Sequence, residues 1–135
     1  MKIDRASLAA EHAGLAAMAE ELRQAVQGDG PDFEHLARAR WQLGFLLATH
    51  LAKEDKHVYP ALKRHSKANL AALATAYESE MGDLDQQFRD YLAAWQVNSI
   101  LARWPEFRRE TTDLIDKLKQ RIEREESELY PLLDQ

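Results

Sequence analysis

Residues 50–62 read HLAKEDKHVYPAL and residues 121–133 read RIEREESELYPLL. The two stretches share Glu54/Glu125, Tyr59/Tyr130, Pro60/Pro131 and Leu62/Leu133 at an offset of 71. On a helix, residues four apart lie on one face, so His50 joins Glu54 and Arg121 joins Glu125. Imidazole nitrogen and carboxylate oxygen are both ligand types for iron and zinc. A guanidinium keeps its proton and offers no lone pair, so Arg121 cannot ligate. The doubled motif therefore carries a metal-ligand type once and a fixed cation the second time.

A shorter pair extends the repeat. EHAGL (11–15) matches EMGDL (80–84) at an offset of 69, which sets His12 against Met81. Each half then has one slot on its first helix and two on its second. The first half fills them with His12, His50 and Glu54, the second with Met81, Arg121 and Glu125.

Placing these residues together requires helices that pack side by side. Between a few breaks the chain is rich in Ala, Leu, Glu, Gln and Arg, with sparse β-branched residues, which favours helix over strand. The breaks fall at QGDGPD (27–32), near Pro60 and HSKAN (65–69), and at QVNSILARWP (96–105). Asp32 suits an N-cap and Pro105 a first helical turn. The spacing predicts helices over roughly 4–27, 32–64, 68–96 and 105–133, with Pro60 ending or kinking the second.

Each helix carries an inward stripe at spacings of three and four, as in Leu8, His12, Leu15, Ala19, Leu22 and Val26 on the first. The third presents Tyr77, Met81, Leu84, Phe88, Tyr91 and Trp95. Stripes of this kind with short connections make an all-α, antiparallel up-down-up-down four-helix bundle of two pseudo-repeated hairpins, here one domain over 1–135. The stripes are apolar except at one level, which holds His12, His50, Glu54, Arg121 and Glu125. Buried charge without a partner costs several kcal/mol, on the order of one broken ion pair, so this layer needs a purpose.

With these residues in view, the sequence resembles the hemerythrin-like family, the HHE cation-binding domains. The resemblance rests on His12, on H-x-x-x-E at His50 and Glu54 with its D-x-x-V-Y-P-A-L tail, and on Glu125 with E-x-x-L-Y-P-L-L. It implies a four-helix bundle with a non-haem di-iron centre, held by histidines and bridged by two carboxylates. It also implies oxygen binding, oxygen or redox sensing, or roles in iron handling and nitrosative stress.

Two ligands of that pattern are missing, because Met81 and Arg121 stand where histidines are expected. Thioether sulfur suits iron poorly. The first expectation is therefore a regulatory or sensory bundle that has lost the ordinary di-iron centre and acts by binding a protein partner. In it, Arg121 fills the former metal position against Glu54 and Glu125, and Met81 packs as a core filler. The alternative is one non-haem iron or zinc ion at His12, His50 and Glu54, with Glu125 able to complete the set, for sensing oxygen, nitric oxide or redox state. A dinuclear iron site recruiting Asp85 or Glu80 ranks below both, and an enzymatic role ranks last.

The remaining features exclude more than they propose. With no cysteine among 135 residues, disulfides and thiolate sites are ruled out. A formal charge of −5 with both signs interspersed argues against a nucleic-acid partner. No stretch is apolar enough for a signal peptide or membrane span, so the expected location is the cytoplasm. His35, His57 and His65 read as surface residues, and the acidic run at 123–128 as a charged outer face. Trp41, Trp104 and Ile100 are the expected partner-binding residues. The oligomeric state stays open.

Overall fold

The computed structural model describes residues 5–28, 30, 32–64 and 68–134, and these are helical almost throughout, with no strand among them. The elements are α1 (Arg5–Ala25), α2 (Phe33–Lys53), a π-helical turn (Glu54–Val58), α3 (Tyr59–Lys63), α4 (Ala68–Ala94), α5 (Val97–Ala102), α6 (Trp104–Arg124), a second π turn (Glu125–Leu129) and a terminal 3₁₀ turn (Tyr130–Asp134). Asp4, Asp29, Pro31 and His65 lie outside the described residues.

The starts follow the chemistry expected of them. Asp32 caps α2 by accepting a hydrogen bond from the His35 backbone N–H at 3.2 Å. Pro105 sits in the first turn of α6, where its missing N–H is not needed. The 96–104 connection was expected to be a plain break, but it contains α5. Ile100 on α5 is 2 % exposed and plugs the end of the core, and that burial holds the short helix.

Pro60 does not end its helix. The Tyr59 N–H reaches back five residues to the Glu54 carbonyl, and the Tyr130 N–H reaches back in the same way to Glu125. A proline ring has no N–H and clashes with the carbonyl four residues earlier, and widening the preceding turn relieves both. The extra residue in the turn rotates the next side chains about the helix axis. Val58 and Tyr59 are consequently both buried, as are Leu129 and Tyr130.

Helix α1 packs on α2 and α6, and α4 packs on the same two. The buried residues form two apolar clusters. The larger includes Leu15, Leu47, Met81, Leu118 and Ile122; the smaller includes Leu8, Val58, Leu62, Tyr77 and Leu129. Along α1, His12 falls between Leu8 and Leu15. His50 and Glu54 fall between Leu47 and Val58, and Glu125 between Ile122 and Leu129. The polar layer is thus sealed by hydrocarbon on both sides.

Candidate metal centre

Four polar side chains enter this layer: His12 from α1, His50 from the end of α2, and Glu54 and Glu125 from the first positions of the π turns. Each is at most 1 % exposed. His12 Nε2 lies 3.0 Å from His50 Nε2 and 3.1 Å from Glu125 Oε1. Glu54 Oε1 lies 2.9 Å from His50 Nε2. It is off the direction a hydrogen bond needs, however, and has no hydrogen-bond partner. One donor atom each from His12, His50 and Glu125 falls within 4.8 Å of the others, close enough to share a single ion.

Carboxylates fix both rings from behind. His12 Nδ1 is 3.0 Å from Glu126 Oε1, and His50 Nδ1 is 3.0 Å from Glu11 Oε1. An Nδ1–H that donates outward leaves the Nε2 lone pair facing the centre, the tautomer a metal ligand needs. Lys53 Nζ in turn binds Glu11 Oε2 and the Ser7 hydroxyl. Burial works to raise the Glu11 pKa, but Lys53 and His50 outweigh it and hold it below its ordinary value.

Two buried phenols complete the layer. Tyr130 Oη lies 3.0 Å from His12 Nε2, 3.3 Å from His50 Nε2 and 3.4 Å from Glu54 Oε2. Tyr59 Oη donates to Glu125 Oε2 at 3.3 Å. The sequence pattern marks these Tyr-Pro pairs as architectural and the acidic run as outer face. It therefore misses Tyr59, Tyr130, Glu11 and Glu126. The signal was present in the repeat, since proline in a helix that does not end demands a widened turn beside it.

Without a cation, protons must balance the layer. Burial, with Glu54 beside it, pushes Glu125 up to about 11. Burial also opposes charge on Glu54 and His50. Glu54 is nonetheless lowered, by its hydrogen bond to Glu125 and by His50, and His50 is raised by Glu54 and Glu11. His12, desolvated and beside His50, is lowered. At neutral pH Glu125 therefore keeps its proton. This arrangement can take a cation in exchange for protons.

A family model, the hemerythrin HHE cation binding domain, matches residues 5–133. The chain belongs to that family. No curated protein and no solved structure matches it. HHE domains bind metal cations, and in this one the convergent donors are His12, His50 and Glu125.

The second half of this HHE domain contributes Glu125, while Met81 and Arg121 stand where the first half has His12 and His50. Arg121 does not occupy the centre against Glu54 and Glu125, as expected from sequence. It turns outward, a quarter exposed, to an ion pair with Glu80. Glu80 is the repeat counterpart of Glu11, so the carboxylate that would steady a histidine ring steadies a guanidinium. The long side chain reaches water at the bundle rim, where a charge costs less than it does inside. Met81 packs in the core at 1 % exposure, as expected of a filler. Asp85 pairs with Arg89. His35 pairs with Glu21 near the start of α2, and His57 is half-buried.

Proposed function

We propose that this HHE domain holds one first-row transition-metal ion at His12, His50, Glu54 and Glu125, and that the ion serves to sense oxygen, nitric oxide or redox state. The convergence of buried donors on one point carries the reading, strengthened by the Glu54 oxygen left without a hydrogen. An unsatisfied buried carboxylate oxygen is costly unless a cation approaches it. Two imidazoles and two carboxylates suit ferrous iron or zinc. Bound there, the ion would supply a Lewis-acid position for a small ligand.

The chain's own residues do the rest. Glu126 and Glu11 orient the rings, Tyr59 holds the Glu125 carboxylate, and the leucine and valine layers on either side exclude water. A centre this enclosed admits a diatomic molecule more readily than an organic substrate, which favours sensing over enzymatic turnover. The arrangement assumed is an antiparallel up-down-up-down bundle, supported by the packing of α1 and α4 on both α2 and α6. Loss of the second ion follows from Met81 and Arg121.

The test is metal content per chain by elemental analysis, on protein purified without chelator and reloaded anaerobically with ferrous iron. The reading expects a ratio near one. It also expects a rise of about 2.7 kcal/mol in stability at a hundredfold excess over Kd, with both lost in His50→Ala. Protein that takes up neither iron nor zinc, and melts unchanged in their presence, sinks it.

A second reading, a metal-free bundle acting through a protein partner, draws on Trp41 and Phe45, exposed at 74 % and 72 % on α2. Ile100 and Trp104, assigned to that face from sequence, pack instead on the core. Retained function in a chain stripped of metal would favour it.

A further inference from the structure

The two tyrosines of the repeat differ in what they meet. Each hydroxyl crosses to the glutamate of the opposite half, Tyr59 to Glu125 and Tyr130 to Glu54, at 3.3 Å and 3.4 Å. Tyr130 also meets both histidines of the first half, at 3.0 Å and 3.3 Å. The side chains that would stand in the corresponding places around Tyr59 are Met81 and Arg121, which offer it nothing equivalent. Of the two, Tyr130 alone lies among three donor residues at once.

One phenolic proton cannot serve three acceptors. With Nδ1–H of each ring directed outward to Glu126 and Glu11, neutral rings turn both Nε2 lone pairs toward the Tyr130 oxygen. Glu54 Oε2 presents another. Oxygen and nitrogen lone pairs gathered on one point are reconciled when all of them face a common cation.

We propose that Tyr130 is itself a metal ligand, binding as phenolate beside His12, His50, Glu54 and Glu125 and directing the site to ferric iron. The inference rests on the metal-binding reading above and names the oxidation state that the site prefers. Charge balance selects it. Glu54, Glu125 and a phenolate supply three negative charges, which neutralise a trivalent ion in a layer where net charge is costly. A divalent ion needs only the two carboxylates and leaves the phenol protonated. Phenolate oxygen is a hard anionic donor, and tyrosinate is an established iron ligand in other proteins. As the oxygen–iron bonds form, the phenolic proton of Tyr130 and the carboxyl proton of Glu125 both leave to solvent; the iron enters as ferric and no electron is transferred.

The experiment loads the full chain with ferric nitrilotriacetate, removes excess, and measures iron per chain together with visible absorption and resonance Raman spectra. Wild type and Tyr91→Phe, whose hydroxyl meets Thr111 away from the centre, are expected to hold iron and to show a phenolate-to-iron charge-transfer band with tyrosinate ring modes. Tyr130→Phe is expected to lose the band completely. If Tyr130→Phe fails to fold or to hold iron, Tyr59→Phe protein made with 3-fluorotyrosine decides: the band must move. Iron-loaded wild type with no such band, a band that persists in Tyr130→Phe, or one that ignores fluorination overturns the Tyr130 assignment and leaves the metal site standing. Wild type that takes up no metal of any kind overturns both.

Discussion

His12 and His50 face each other through their Nε2 atoms at 3.0 Å, with both Nδ1 atoms held by carboxylates. Two imidazoles arranged this way repel unless a proton or a cation lies between them. The carboxylates behind them therefore set up the centre as firmly as the rings do. Removing Glu126, which holds His12 Nδ1, is expected to weaken metal binding about 10–100-fold with little loss of fold. Glu123→Ala, three residues earlier in the same acidic run and exposed, is expected to have no effect. Chelator competition on both variants checks this, and equal behaviour would return the run to a plain solvated face.

Glu125 makes the metal-free protein sensitive to pH. Its folded pKa, raised to about 11, lies far above the ordinary value of 4.5. Below pH 4.5 the acid is protonated in folded and unfolded chains alike, and its contribution to stability is intact. As pH rises above 4.5 the unfolded chain releases this proton while the folded chain keeps it. Stability from this group then falls by up to about 1.4 kcal/mol per pH unit. Glu125→Gln mimics the protonated acid, so the metal-free variant is expected to match wild type near pH 5 and exceed it at pH 8. Urea titrations at the two values measure the difference; a constant deficit at both would contradict the assignment.

Pro131 shapes the turn that carries Tyr130 inward. Replacing it with alanine restores the N–H and removes the clash, which lets the turn tighten to an ordinary α-helix. Tyr130 then rotates away from His12 and His50. The expected outcome is unchanged helix content by circular dichroism with metal affinity reduced about tenfold or more. Unaltered affinity would show that the π turn plays no part in the centre.

The apolar residues near the far end divide into two kinds. Trp41→Ser and Phe45→Ser, at exposed positions, are expected to change stability by no more than about 0.5 kcal/mol. Ile100→Ala, which empties a buried position, is expected to cost about 2–4 kcal/mol. Denaturant titration of the three variants separates surface from core, and a large loss at Trp41 would mean that it is not free.

Much of this was readable in one dimension because helices repeat. The three- and four-residue stripes located the long helices to within a few residues. They also placed His12, His50, Glu54 and Glu125 at one level of the core, since a regular helix fixes which side chains share a face. The offsets of 69 and 71 identified Met81 and Arg121, respectively, as the positions where the second half departs from the first. Residue type alone then excluded ligation by Arg121.

The features that the linear pattern could not supply depend on breaks in that regularity and on contacts across the bundle. The π turns at Glu54 and Glu125 add a residue to the register, so a period of 3.6 does not forecast Tyr59 and Tyr130 turning inward. Glu11 and Glu126 lie beside stripe residues and read as surface; only the packing of α1 against α2 and α6 sets them behind the rings. Arg121 stands on an inward stripe, yet its long side chain reaches the rim and Glu80. Helix periodicity determined which residues could meet, and the tertiary structure decided which atoms do, because side-chain reach and a single widened turn outweigh position on the stripe.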